Sequence, residues 1–167
     1  EDQTPNVEWW ATRLLQAWNL RKKSGVHQYS HRLIFAEGDF LPGLIIDCYR
    51  VENPKAQIFV IQSSTAGMDH LFADILSGLR LFIERNSELH YSWDETCIVI
   101  SNTSAQRRLE GLQVEERRVE KPVEGVDLNN VAGLFEYAAD PTRSIVLHFD
   151  LLGGQKTGFF LDQRENL

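Results

Sequence analysis

The residues richest in chemistry are the last of the chain, where Gly154 to Leu167 reads GQKTGFFLDQRENL. Lys156 and Thr157 supply donors beside flexible glycines. Phe159 and Phe160 offer flat apolar faces of the kind that stack on a nucleoside or base. Asp162, Gln163 and Arg164 then place an acceptor, a mixed amide and a planar cation side by side. On residue chemistry alone two readings stay open: a ligand site, or a strand end with Phe160 in the core and a charged helix start after it.

Other constellations fall short of a site. His27 and His31 have the i, i+4 spacing that puts two ligands on one helix face. They straddle Tyr29-Ser30 after a helix stop, however, and no third ligand follows at zinc-site spacing, so no metal is expected. A nucleobase deaminase would need a Cys-x-x-Cys pair beside a His-x-Glu, and neither occurs. There is no Gly-x-Ser-x-Gly elbow and no Gly-x-x-x-x-Gly-Lys phosphate loop. Gly153 to Gly158 has the wrong glycine spacing for one, and a hairpin turn accounts for its glycines equally well. Cys48 and Cys97 sit in apolar surroundings with no close partner and read as buried reduced thiols. Asn102-Thr103-Ser104 matches a glycosylation sequon without any secretory context.

The elements that must position these residues follow from hydrophobic periodicity. Thr4-Pro5 offers a cap with proline at the first helical position. Trp10, Leu14 and Trp18, with Ala11 and Leu15, form an apolar stripe; Arg21, Lys22 and Lys23 suit the negative end of the helix dipole, and Gly25 stops the helix. In HRLIFAEGDFLPGLIIDCY (31–49), Leu33 and Phe35 alternate with Arg32 and Ile34, turn residues intervene, and Leu44 to Tyr49 returns, predicting a β-hairpin with a wide loop. Ala56 to Gln62 holds the continuous apolar run of a strand buried on both faces. Met68, Leu71, Phe72, Ile75, Leu79 and Phe82 then predict one helix ending near Arg85-Asn86, and Thr96 to Ser101 another buried strand. Strand, helix, strand in that order implies a βαβ crossover with parallel pairing. Short strands and loops are expected over 106–130. Two strands, Leu134 to Ala138 and Ser144 to Asp150, follow across a turn containing Pro141, with Ile145, Leu147 and Phe149 on one face. The expected fold is α/β: a mixed sheet with a β-hairpin and a βαβ unit, flanked by two helices.

Composition bounds the function. The 167 residues are 43% hydrophobic and 25% charged, which is globular composition, with room for one ordinary domain or one domain plus an appended element. The formal charge of -7 argues against a dominant phosphate-binding surface. No apolar stretch is long enough to span a bilayer, and Glu1-Asp2-Gln3 is unlike a signal peptide, so a soluble cytoplasmic chain is expected.

Four stretches taken together go further. RLIFAEGDFLPGLIIDCY (32–49), STAGM (64–68), RRLEGL (107–112) and GQKTGFFLDQREN (154–166) occur in this order. They resemble the bacterial class I S-adenosylmethionine (SAM)-dependent methyltransferases of large-subunit ribosomal RNA, specifically the 23S rRNA 5-methylcytosine family. The resemblance runs from about Arg32 to the end of the chain. In that family a small RNA-recognising PUA domain usually comes first, a central α/β domain with a hairpin follows, and a Rossmann-like catalytic domain comes last. The resemblance implies that Lys156, Thr157, Gly158, Phe159, Phe160, Asp162, Gln163 and Arg164 lie against the methyl donor SAM at the start of the catalytic domain. It also implies that the family's nucleophilic cysteine, which attacks carbon 6 of cytosine to activate carbon 5, lies beyond Leu167 and is neither Cys48 nor Cys97.

The expected organisation is an N-terminal amphipathic helix over 1–25, a central α/β domain over 26–152, and the start of a truncated methyltransferase domain over 153–167, with the Rossmann-like domain itself absent. The parent would be a SAM-dependent methyltransferase acting on ribosomal RNA, and this piece, inactive alone, would orient substrate. Arg32, Arg107 and Arg108 are the candidates for local RNA contact, Arg32 being equally readable as a salt-bridged strand residue. A stand-alone RNA-binding or assembly module without catalysis is the alternative. A homodimer built on the Trp9-Trp10-Trp18 helix is a third reading.

Overall fold

The computed structural model describes residues 5–137, 140, 143–154 and 161. Helix α1 spans Val7–Lys23, and its cap is Asn6, whose side chain accepts from the Trp9 amide at 2.9 Å, rather than the expected Thr4. An asparagine one turn ahead of the apolar stripe satisfies an amide that a proline at that place could not. Trp10, Ala11, Leu14, Ala17 and Trp18 are buried, whereas Leu15 is exposed. Gly25, at φ 78°, takes the left-handed conformation that ends the helix.

Strand β1 (His31–Phe35) and strand β2 (Leu44–Val51) form the expected hairpin, pairing antiparallel. The predicted alternation in β1 fails at a register shift between Arg32 and Ile34. Leu33 and Ile34 are both buried, and Phe35 points to solvent. An extra residue in one strand reverses the facing of everything after it, which strict alternation cannot anticipate.

Strand β3 (Ala56–Ser63) runs antiparallel to β2 and parallel to β4 (Thr96–Ile100). The single expected helix between them is two: α2 (Ala66–His70) and α3 (Phe72–Arg85), broken at Leu71. Strand β5 (Arg118–Lys121) adds to β4, and β6 (Val131–Glu136) pairs with β7 (Ser144–Phe149). The seven-stranded mixed sheet has the order β5-β4-β3-β2-β6-β7, with β1 paired to β2 beside that path. Strand β2 therefore serves two neighbours along one edge: β1 at Ile45, Ile46, Asp47 and Cys48, and β6 at Val51 alone, opposite Gly133.

Both faces of the central strands are covered, which is why β3 and β4 read as unbroken apolar runs. On one face Leu44, Ile46, Cys48, Phe59, Ile61, Ile98 and Ile100 meet α1 and α3. The helices approach closely where Gly78 lies against Trp10, and any Cβ there would collide with the tryptophan. On the other face Tyr49, Val51, Ile58, Val60, Cys97 and Val99 pack under Leu128, Val131, Phe135 and Leu151, contributed by loops and the β6–β7 hairpin. At one end of the sheet a polar ladder crosses three strands. Arg50 Nη1 donates to Gln57 Oε1 at 3.0 Å, and Gln57 Nε2 donates to Thr96 Oγ1 at 2.8 Å. Arg50 also donates to the carbonyls of Leu89 and His27 and lies over the Tyr91 ring, so this buried cation is held by oxygens and a π face.

Candidate functional site

Three of the four motif stretches meet at one end of the sheet. The Ser64 amide donates to the Gly43 carbonyl at 2.9 Å, and Gly43, at φ 82°, leaves room for the Thr65 side chain where a Cβ would clash. The Ala66 amide donates to Glu110 Oε2 at 3.3 Å, and the Met68 amide to Thr65 Oγ1. Arg107 binds these loops from inside. Its Nη1 donates to the Ser63 carbonyl at 2.7 Å and to Asp69 Oδ1 at 2.8 Å, and its Nε donates to the Gln113 carbonyl at 2.7 Å. With 1% exposure, Arg107 has an architectural task, tying the ends of β3, α2 and the loop after β4 together.

Arg32 is likewise engaged. Its Nε donates to Asp47 Oδ1 at 2.7 Å and its Nη2 to Asp47 Oδ2 at 3.0 Å, a two-point pair whose carboxylate is fully buried. Its guanidinium also stands 5.5 Å from the centre of the Phe35 ring. Of the three arginines proposed for RNA contact, only Arg108 is exposed, beside the exposed Leu109. Across the hairpin loop, Phe40 is 81% exposed at φ 58°, a backbone conformation unusual for a residue with a Cβ. Its loop is fixed by Asp39, which accepts from the Phe35 amide at 2.6 Å and pairs with Arg21.

The eight residues proposed to hold a cofactor, Lys156, Thr157, Gly158, Phe159, Phe160, Asp162, Gln163 and Arg164, lie outside the described residues. The turn that leads to them is described and tightly built. Asp150 Oδ1 accepts from the amides of Leu152 at 3.0 Å and Gly153 at 2.8 Å. The guanidinium of Arg117 donates to the Leu151 and Leu152 carbonyls and to Ser101 Oγ. Burial presses the Arg117 pKa below the ordinary arginine value, so the half-buried cation is kept at a desolvation cost. Leu161 packs against the second core cluster.

A cleft of about 340 Å³ opens between the last turn of α1, the start of β1 and the end of β6, with Leu161 among its lining residues. Leu20, Val26, Phe135 and Leu161 give it apolar walls, and Tyr29 and His31 give it polar ones. His31 Nδ1 donates to the Tyr29 carbonyl at 2.7 Å, and Nε2 is buried without a hydrogen-bond partner. Burial lowers the His31 pKa to about 3, so the ring is neutral at physiological pH. In the sequence His31 stood out only by its i, i+4 spacing from His27, a metal reading that the missing third ligand set aside. Among the described residues no group of three or more His, Cys, Asp or Glu could hold a metal ion.

The two cysteines are free and buried. Burial raises the Cys97 thiol to about 11 and also raises Cys48, the reverse of what an activated nucleophile needs. Among the described residues no helix is long and apolar enough to cross a membrane.

No family model matches the chain. Curated proteins do. The chain is 28% identical over 172 residues to the ribosomal RNA large subunit methyltransferase I of Enterobacter sp. (strain 638), and 30% identical over 171 residues to that of Serratia proteamaculans (strain 568). Each match covers 99% of this chain and 36% of the relative, so the chain spans little more than a third of their length. Among solved structures it resembles a protein described as a methyltransferase, crystallised as a complex with SAH, with a TM-score of 0.61, 17% identity, and coverage of 99% of this chain and 35% of that one. A structure described as a SAM-dependent methyltransferase from Streptococcus mutans matches at the same TM-score and identity, with 36% of its chain covered. At that identity the likeness establishes the fold.

Proposed function

We propose that this chain is the central substrate-orienting domain of a SAM-dependent methyltransferase of large-subunit ribosomal RNA, acting on carbon 5 of cytosine. The observation that carries the reading is the near-complete alignment with curated rRNA large subunit methyltransferases I, in which the chain takes up about a third of each relative. The acidic chain suits a piece that orients substrate more than one that carries the main phosphate-binding surface.

The described residues do not themselves fit the cofactor. In a β-α-β crossover the natural place for a nucleotide cofactor is the helix start after the first strand. Here that start, at α2, is already filled: the Ala66 amide is taken by Glu110 and the Met68 amide by Thr65. The reading therefore assigns SAM to the Lys156–Arg164 segment together with polypeptide of the kind the longer relatives carry beyond it. Among the three arginines first considered, it gives the RNA contact to Arg108. The buried free thiols of Cys48 and Cys97 suit a reducing, cytoplasmic setting.

Calorimetric titration of SAM into this chain and into a version carrying its natural continuation tests the assignment. The longer protein should bind SAM and transfer its methyl group to large-subunit rRNA, with 5-methylcytidine as the product nucleoside, while the 167-residue chain binds weakly or not at all. Tight binding by the short chain, or a natural reading frame that stops at Leu167, would overturn the boundary. Methylation at another atom would overturn the cytosine assignment alone.

A further inference from the structure

The loop between β1 and β2 presents an aromatic side chain that stability does not explain. Phe40 is 81% exposed at φ 58°, and Ala36 in the same loop is at φ 41°. Glycine takes that left-handed backbone without steric cost, whereas a large side chain is strained in it. A phenylalanine there therefore carries two penalties, backbone strain and apolar surface left in water. The loop is nevertheless firmly built. Asp39, gripped at both oxygens by Arg21, accepts from the Phe35 amide. The Phe40 amide donates to the Glu37 carbonyl at 3.1 Å, and the Leu41 amide to the Ala36 carbonyl at 2.9 Å. Among the described residues no other ring stacks on Phe40.

The setting narrows the partner. The Pro42 carbonyl accepts from Thr65 Oγ1 at 3.4 Å, and one residue on, the Ala66 amide donates to Glu110 Oε2. The Phe40 loop and the turn over Ala105–Glu110 thus flank the same Thr65–Ala66 corner. On that turn Leu109 is 87% exposed. The neighbouring Arg108 guanidinium is also exposed and has no hydrogen bond or ion pair among the described residues. Of the carboxylates nearby, Asp39 is answered by Arg21 and Glu110 by the Ala66 amide, while Glu37 stands exposed in the Phe40 loop. Glu37 keeps phosphates off the loop itself and leaves them to Arg108. A flat ring with a planar cation across the corner suits an unpaired nucleotide, the ring meeting its base and the cation its phosphate. A duplex, whose bases are already stacked on one another, offers the ring nothing.

We propose that Phe40 is a stacking platform for an unpaired base of the RNA substrate, with Arg108 meeting a phosphate of the same single-stranded stretch. Stacking uses the π face that every base has, so the contact selects single strand over duplex without reading sequence. One cation among exposed carboxylates makes the electrostatic share small, in keeping with an acidic chain. The inference rests on the RNA-methyltransferase reading for its choice of ligand. It goes beyond that reading in naming the side chain that holds the strand.

The test is an amide NMR titration of the 167-residue chain with single-stranded hexacytidylate and with a blunt-ended RNA duplex. The single strand should shift the amides of Glu37 to Leu41 and of Arg108 to Gly111, and the duplex should leave them in place. Phe40→Gly, which suits the left-handed backbone, should keep an unchanged or higher melting temperature yet bind the single strand about tenfold more weakly. Phe40→Trp should match or exceed the original affinity. Arg108→Gln should weaken binding and flatten the log–log salt slope by about 0.7, the share of one phosphate contact. Undiminished binding by Phe40→Gly, shifts that map elsewhere, an equal response to the duplex, or no binding at all would each overturn the proposal. So would a concentration-dependent dimer that Phe40→Gly abolishes, which assigns the ring to a protein contact. The parent reading fails separately: if the extended protein transfers no methyl group while the single strand still shifts these amides, the platform stands and the enzymatic reading falls. Methyl transfer with an unresponsive loop sinks this inference alone.

Discussion

The two faces of the sheet are closed by different physics. On the first, α1 and α3 present apolar stripes and Trp10 lies in the seam between them, against Gly78. On the second, irregular segments and the β6–β7 hairpin fold over the strands and are pinned by individual polar contacts. Strand β6 touches β2 at one register position, while Arg117 holds the Leu151–Leu152 carbonyls and the Leu151 amide donates to the Leu128 carbonyl at 2.9 Å. The first face draws its stability from buried area, which is spread over many contacts. The second adds a few directional bonds to a smaller apolar cluster, so it is the face more open to local loosening while the rest stays folded. The turn leading to the proposed cofactor segment belongs to the second face.

This contrast can be broken most severely in the helix seam. Trp10→Ala should cost about 3–5 kcal/mol, read as a large drop in melting temperature with loss of protection on both faces, since the strands share the core. Next in size, Arg107→Met should cost roughly 2 kcal/mol, because the Ser63 and Gln113 carbonyls lose a buried donor. Denaturant midpoints would show it, and an unchanged midpoint would deny Arg107 its architectural task.

The His31 ring sharpens the comparison through pH. Its folded pKa of about 3 lies below the unfolded value of 6.5, so the unfolded chain binds more protons between those limits. Its contribution is therefore intact above pH 6.5 and lost as pH falls toward 3, at about 1 kcal/mol per pH unit. His31→Phe should flatten that part of the stability–pH curve. Arg117→Met should cost about 1 kcal/mol overall but selectively raise hydrogen exchange at Leu152 and Gly153, leaving the amides of α1 and α3 protected. Exchange rising evenly across the molecule would contradict the pinned-flap description. The smallest effect is expected at the solvent-exposed Glu8–Arg85 pair joining the helices: the arginine holds the Glu8 carboxyl below its ordinary pKa, yet Glu8→Ala should leave the melting temperature unchanged.

The first face was largely readable in advance. Trp10, Leu14 and Trp18 announced α1, and the apolar runs at Ile58 to Ile61 and Cys97 to Ile100 announced strands buried on both sides. The parallel β3–β4 pair followed from the order of elements. Errors came where a local rule was overridden by a neighbour. Leu15 fits the helical period but turns to solvent, and the β1 bulge sends Phe35 outward. Leu71 ends α2 where periodicity ran straight through. Nothing local marked Arg107 as an interior residue, since its partners Ser63, Asp69 and Gln113 are remote in sequence.

By itself the sequence determined the element types, the mixed α/β character and the segments that resemble rRNA methyltransferases, because periodicity, turn residues and motif order are properties of neighbouring residues. Tertiary structure alone decided which arginines are spent inside the fold. It also decided that three distant motif stretches share one end of the sheet, and that the His31 ring is buried and neutral. Those outcomes depend on which groups meet across the sheet and on how far water is excluded from them, and neither is encoded in any short stretch of the chain.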